Sequence, residues 1–144
     1  MTADLVFQIA NPFALSGWIA LIAAVVMKRD EWITRYVIPI WPFMLAALYT
    51  ALIIFFFFQA PGGFDTLKNV QLLFTSPWAA LAGWVHYLAF DLFIGAWISL
   101  KALQQKMPRA ILIIILPLTF LFGPIGLLLY GLSLPAFIRK GTSS

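Results

Sequence analysis

The sequence predicts an all-α integral membrane protein, a bundle of four transmembrane helices forming one domain over residues 1–144. Its fourth segment is expected to be kinked or broken near Gly123-Pro124. Three observations lead there. Of 144 residues, 63% are hydrophobic, 17% aromatic and only 10% charged, against about 45–50% apolar and about 25% charged in a soluble domain. The apolar residues fall in four runs separated by short polar stretches, and a bilayer span takes about 20 of them. The last run carries Pro117, Gly123, Pro124, Gly126 and Gly131 inside it.

The first span is expected over about 12–27. "MTADLVFQIANPF" lacks the basic leading region and small-residue cleavage site of a secretory signal, so it reads as part of the mature chain. Asn11-Pro12 has the form of a helix N-cap followed by proline at the first helical position. Residues before it then form a short interfacial lead-in. The second span runs over about 37–59, with Pro39 and Pro42 near its start and "IIFFFF" near its end. "PGGFDTLKNV" follows as a polar loop rich in turn residues. The third span covers about 77–100 and ends at "KALQQKMPR". The fourth covers about 110–132, where Pro124 disfavours helix at Gly123 and removes a backbone donor. Freed backbone groups must be satisfied in lipid, so the break should pack against protein. Trp32, Trp41, Trp78 and Trp97 lie near segment ends, as in an aromatic belt.

Charge sets the orientation. Lys28, Arg29, Arg35, Lys101, Lys106 and Arg109 lie in the first and third loops, while Lys68, Arg139 and Lys140 lie on the other side. Basic loops stay in the cytoplasm, so four full spans place both termini outside. A re-entrant fourth segment would move Arg139 and Lys140 across, leaving eight basic residues against one. That bias is stronger, yet the segment advertises no polar cavity, and four full spans are the expected arrangement. A bacterial inner membrane is the simplest location.

The net charge of +4 comes from these clusters, which anchor topology and imply no nucleic acid partner. Cysteine is absent, which removes disulfides, thiolate metal sites and cysteine nucleophiles. One histidine and few carboxylates make a poor metal site. No glycine-rich phosphate loop, nucleophile elbow or zinc-protease helix is present.

"GWVHYLAFDLFIGAWISL", from Gly83 to Leu100, holds the residues suited to chemistry. A charged aspartate near a span's midpoint costs roughly 2.5–3.5 kcal/mol on insertion scales. Asp91 should therefore face the bundle interior and find a partner. Burial in hydrocarbon favours its neutral form, a hydrogen-bond or proton donor. Asn11, Tyr49, Thr50, Thr119 and Tyr130 are the polar side chains expected within its reach. Tyr87 and Trp84 precede Asp91 by four and seven residues and share its face. His86 precedes it by five, about 140° around the helix at about 100° per residue. A His86–Asp91 dyad within the helix is thus disfavoured; His86 meets another helix or forms a separate wall. Each residue also has a plain structural reading, His86 as an interhelical hydrogen bond and Asn11 as a cap.

"AGWVHYLAFDLFIGAWI" (Ala82 to Ile98) and "FGPIGLLLY" (Phe122 to Tyr130) resemble the abscisic-acid-deficient-four-like family of small membrane proteins. Asn11-Pro12 with Trp18, and the loop from Gly62 to Phe74, fit the same pattern. The resemblance covers about Asn11 to Tyr130 and implies a four-helix membrane protein. The plant member of that family is implicated in making neoxanthin from violaxanthin, a neoxanthin-synthase-like role. This implies an isomerase of epoxy-carotenoid type, needing an acid for the departing epoxide oxygen and a base for a vinylic proton. On that reading Asp91 is the acid, Tyr87 relays or donates, and His86 is the base where the end ring is wrapped by two helix faces or by helices from two subunits. Trp84, Asn11 and Tyr130 bind the substrate, and no cofactor or metal is required.

Two other readings compete. One is a non-catalytic membrane protein that binds a pigment or lipid, or supports another membrane enzyme. The other is a small proton-coupled carrier relaying through Asp91, for which four short spans leave little room. The expected partners are membrane lipids and a carotenoid or isoprenoid ligand, and a homo-oligomer is compatible with the sequence.

Overall fold

A computed structural model describes the backbone of residues 2–141. The side chains of Arg139 and Lys140 lie outside the described ones. The chain is all-helical. Three long apolar helices, each long enough to cross a membrane, are followed by two shorter apolar ones.

Helix α1 spans Ala3–Val26 and is capped by Thr2, whose hydroxyl accepts from the Leu5 amide at 3.3 Å. Asn11 is therefore no cap, and the expected lead-in before residue 12 is instead continuous helix. Pro12 sits inside α1, where neighbouring groups tolerate the one lost backbone bond. At Gly17 the helices close up: a Cβ there would lie 2.6 Å from both Leu92 and the Trp41 ring.

Helix α2 covers Asp30–Gln59. It opens through a wide π turn at Ile33–Val37 and tightens to a 3-10 turn at Phe57–Gln59. The π turn stands just before Pro39, which has no N–H to continue a regular ladder. A loop then leads to the short helix α3, Leu67–Leu73, capped by Thr66. Asn69 donates to both Asp65 carboxylate oxygens at 2.9 and 3.1 Å. That contact holds the Asp65 carboxyl below the usual carboxylate range.

Helix α4, Pro77–Gln104, starts with proline in its first turn and is the central element. Half of its most apolar window is buried, more than in α1 or α2. Helix α5, Arg109–Phe122, begins at a clamp between loops. Arg109 donates to both Asp30 oxygens at 2.7 Å and to the Val25 carbonyl at 2.8 Å. This fork geometry suits guanidinium and carboxylate.

The chain then reverses. Helix α5 stops at Phe122, Gly123 takes φ 6° and ψ −73°, and α6 runs Pro124–Gly141. A Cβ at Gly126 would lie 2.7 Å from the Cα of Thr119. Residues seven apart in a straight helix are separated by about 10.5 Å. Farther along α6, the Tyr130 hydroxyl donates to Gln105 at 3.2 Å and its ring meets Trp97 at 5.8 Å. Gln105 lies just before α5 begins, so α6 has returned alongside α5.

The expected break at Gly123-Pro124 is thus present, but the single fourth span over about 110–132 is replaced by a helical hairpin. At 14 residues, α5 is about 21 Å long, short of the roughly 30 Å hydrocarbon core. Gly123 and Gly126 permit the reversal because each lies against another side chain or backbone atom, Asp91 in one case and Thr119 in the other.

Candidate functional site

Three elements meet in a groove of about 430 Å³ between α1, α4 and α5. Its walls include Asn11, Leu15, Trp84, Tyr87, Phe120 and Leu121. Apolar side chains dominate, as in most small-molecule sites. The polar atoms are few and mostly spoken for.

Trp84 donates its indole N–H to the Asn11 side-chain oxygen at 2.7 Å. This pair ties α1 to α4 and gives Asn11 a role that capping had been expected to fill. Tyr87, three residues on, stacks against Trp84 with ring centroids 5.4 Å apart. Its hydroxyl lies 3.1 Å from the Phe120 carbonyl and 2.9 Å from that of Leu121. These carbonyls belong to the last turn of α5, where a helix leaves acceptors without intrahelical partners. Tyr87 therefore caps the hairpin tip from the side.

Asp91 lies one helical turn below Tyr87, on the same face. It is buried, at 6% exposure, as the sequence led us to expect. Its carboxyl rests on Gly123, and any Cβ there would collide with both carboxyl oxygens. The expected hydrogen bond to another segment is not formed. Oδ2 is buried and has no partner among the described residues. Each candidate makes its contacts elsewhere. Asn11 is taken by Trp84, Thr50 bonds back to Ala46, Thr119 to Ile115, and Tyr130 reaches Gln105. Tyr49 faces His86 instead, with ring centroids 5.3 Å apart.

Asn11, Trp84, Tyr87 and Asp91 are thus gathered where α1, α4 and the hairpin tip meet. His86 is not among them. It stacks on Phe90 at 4.5 Å and faces α2, away from Asp91, as its five-residue offset required. Tyr130 is also remote, near the start of α5. No cluster of three His, Asp or Glu side chains gathers among the described residues.

Sequence reasoning missed the backbone of the hairpin tip. The carbonyls of Phe120 and Leu121 and the close face of Gly123 complete the site, and the "FGP" step was their only signal.

A family model described as ABA4-like, ABA DEFICIENT 4-like, matches residues 5–130. The matched stretch contains the whole groove and ends at Tyr130. No curated protein and no solved structure matches the chain.

Proposed function

Because the chain belongs to the ABA4-like family, ABA DEFICIENT 4-like, we propose that it acts without a cofactor on an epoxidised carotenoid or related isoprenoid held in the α1–α4–α5 groove. The observation that carries this reading is the position of Asp91. A buried carboxyl with an uncommitted oxygen stands at the tip of a hairpin whose turn borders a largely apolar groove. Polar groups at membrane depth are expensive and tend to mark working sites.

The reaction is an isomerisation, and its proton balance closes on one group. Asp91 lies behind the groove wall and Tyr87 lines it, so neutral Asp91 passes its proton to the epoxide oxygen through the Tyr87 hydroxyl as the C–O bond breaks. The electron pair of a vinylic C–H bond shifts into the new double bond, and the released proton returns to the Asp91 carboxylate. Nothing is oxidised or reduced. A single carboxyl serving as acid and then base replaces the His86 role implied by the family resemblance, because His86 faces α2. Trp84 and Asn11 form the groove wall against the end ring, while Tyr130 supports the hairpin from below.

A second reading has its own support. The Tyr87 proton is already shared by two backbone carbonyls, so the polar cluster also stabilises a turn in the membrane. On that view the groove binds a pigment or lipid without reacting.

We place the protein in a bacterial inner membrane with three spans and a re-entrant hairpin. Loops one and three and the tail are cytoplasmic. The charge count supports this, because eight basic residues then lie inside against one outside. Pigment extraction from cells with and without the gene tests the activity. A new allenic product only in its presence supports the isomerase, while an unchanged pigment set with co-purifying carotenoid supports the binding protein.

A further inference from the structure

Away from the groove, the ends of α1 and α4 that meet loops one and three are built alike. Each helix closes in the same left-handed turn, whose paired backbone bonds satisfy its last carbonyls. In α1 the Lys28 and Arg29 amides donate to the Val25 and Ala24 carbonyls at 3.4 and 2.9 Å. In α4 the Lys106 and Met107 amides donate to the Leu103 and Ala102 carbonyls at 3.0 and 2.9 Å. Such a turn needs one residue in the left-handed region, a place usually taken by glycine. Here Lys28 takes it at φ 58° and Lys106 at φ 57°, the two non-glycine residues with positive φ among the described residues. Arg109, just past the second turn, bonds the Val25 carbonyl within the first, so the two turns are tied together.

Charge singles out the same pair. Residues 27–36 and 101–109 hold six basic and two acidic side chains, so the whole formal net charge of +4 lies on this face. Both acidic groups are occupied, Asp30 by Arg109 and Glu31 by Arg29 at 3.9 Å. Arg29 and Arg35 also lie over the Trp32 and Tyr36 rings. Lys28 and Lys106 are exposed and form no ion pair among the described residues. Fixing the orientation in the membrane asks only for positive charge somewhere in a loop. It gives no reason to set both lysines where the backbone resists a side chain, and outliers of this kind point to a working position. On the membrane side of Lys28, Val26 and Met27 are 55% and 58% exposed. An ammonium group therefore stands directly over apolar surface, an arrangement that suits a lipid better than a free anion.

We propose that Lys28 and Lys106 form a two-ammonium clamp for the phosphate of an anionic phospholipid, whose acyl chain lies on Val26 and Met27. The left-handed backbone fixes where each side chain starts, and charge-assisted hydrogen bonds to the phosphate oxygens offset its strain. A zwitterionic lipid brings its own ammonium group and fits less well. The site uses neither Asp91 nor the groove and stands whether or not the groove is catalytic.

The test uses the full chain in a neutral detergent, melted with added phosphatidylglycerol, phosphatidylcholine or glycerol 3-phosphate. Phosphatidylglycerol should raise the melting temperature saturably, and the other two should not. Lys28→Gly and Lys106→Gly should each lower the apparent affinity for phosphatidylglycerol about tenfold. Without lipid both should melt no lower than the wild type, because glycine relieves the left-handed backbone. Lys101→Gln, which removes another exposed charge from a regular stretch of helix, should lose about threefold or less. Equal stabilisation by phosphatidylcholine would overturn the proposal, and that comparison needs no variant. Three other results would also overturn it. Equal stabilisation by glycerol 3-phosphate would make the ligand a free phosphate, and equal losses at all three lysines would reduce the effect to diffuse surface charge. Glycine variants that lose lipid-free stability together with affinity would make the two lysines structural.

Discussion

Trp84 and Asn11 are 73 residues apart in sequence and 2.7 Å apart in space. Their hydrogen bond crosses from α4 to α1 at the edge of the groove. Removing one partner leaves the other without a mate at membrane depth. A double-mutant cycle with Asn11→Ala and Trp84→Phe, measured by denaturation in detergent, should give a coupling of about 1 kcal/mol. A coupling indistinguishable from zero would mean that the pair holds nothing together.

The hairpin makes a contrast between two glycines. A Cβ at Gly126 meets the Thr119 backbone, while one at Gly131 meets nothing within 4 Å. Gly126→Ala should therefore destabilise the protein by about 1–3 kcal/mol through overpacking. Gly131→Ala should be neutral or gain up to about 1 kcal/mol from helix propensity. Thermal unfolding of both variants under one condition gives the comparison. Equal effects would mean that α5 and α6 are not folded together.

The tail supplies a topological prediction. If α5 and α6 form a re-entrant hairpin, a reporter fused after residue 141 reports the same side as reporters in loops one and three. A reporter on the opposite side would restore the four-span arrangement.

Loop two should respond to acid. Asn69 holds the Asp65 carboxyl below its ordinary value, so its contribution is complete above the ordinary carboxylate range. It is lost as pH falls through the lowered value. Limited proteolysis should accordingly find the loop between α2 and α4 cut faster only in strong acid, and Asp65→Asn should weaken that response.

The long helices were legible because hydropathy measures what a bilayer demands, and Asp91 stood out for the same reason. Hydropathy cannot tell one span of 23 apolar residues from two shorter helices folded together, since both bury the same side chains. The charge count favoured the folded alternative, because a tail that returns would put Arg139 and Lys140 on the side of the other basic loops. Asn11 misled in another way. Its pairing with Pro12 imitates a cap, while its true partner, Trp84, lies in a different helix and leaves no mark on local sequence. Arg109 was read as a topology charge alone, for its partner Asp30 is equally remote.

Asp91→Asn separates the two readings of the groove. Asparagine nearly keeps the shape of aspartate but has no acidic proton to transfer. The unpartnered Oδ2 lies against Gly123, so the amide fits the same space and can donate to whichever acceptor lies nearest. The variant should therefore insert and unfold much like the wild type. If Asp91 is the working acid, isomerisation should drop by about 10²–10⁴-fold, the usual share of a positioned proton donor. Carotenoid binding in the groove should persist, because the walls formed by Trp84, Asn11 and Leu121 are untouched. Asp91→Leu supplies the structural control. It removes the polar group beside the turn and should lower stability as well as activity. Full activity in Asp91→Asn would exclude proton donation and leave Asp91 as a support for the hairpin tip. Loss of binding together with activity would point to a collapsed groove, and the circular dichroism of the purified variant would show it.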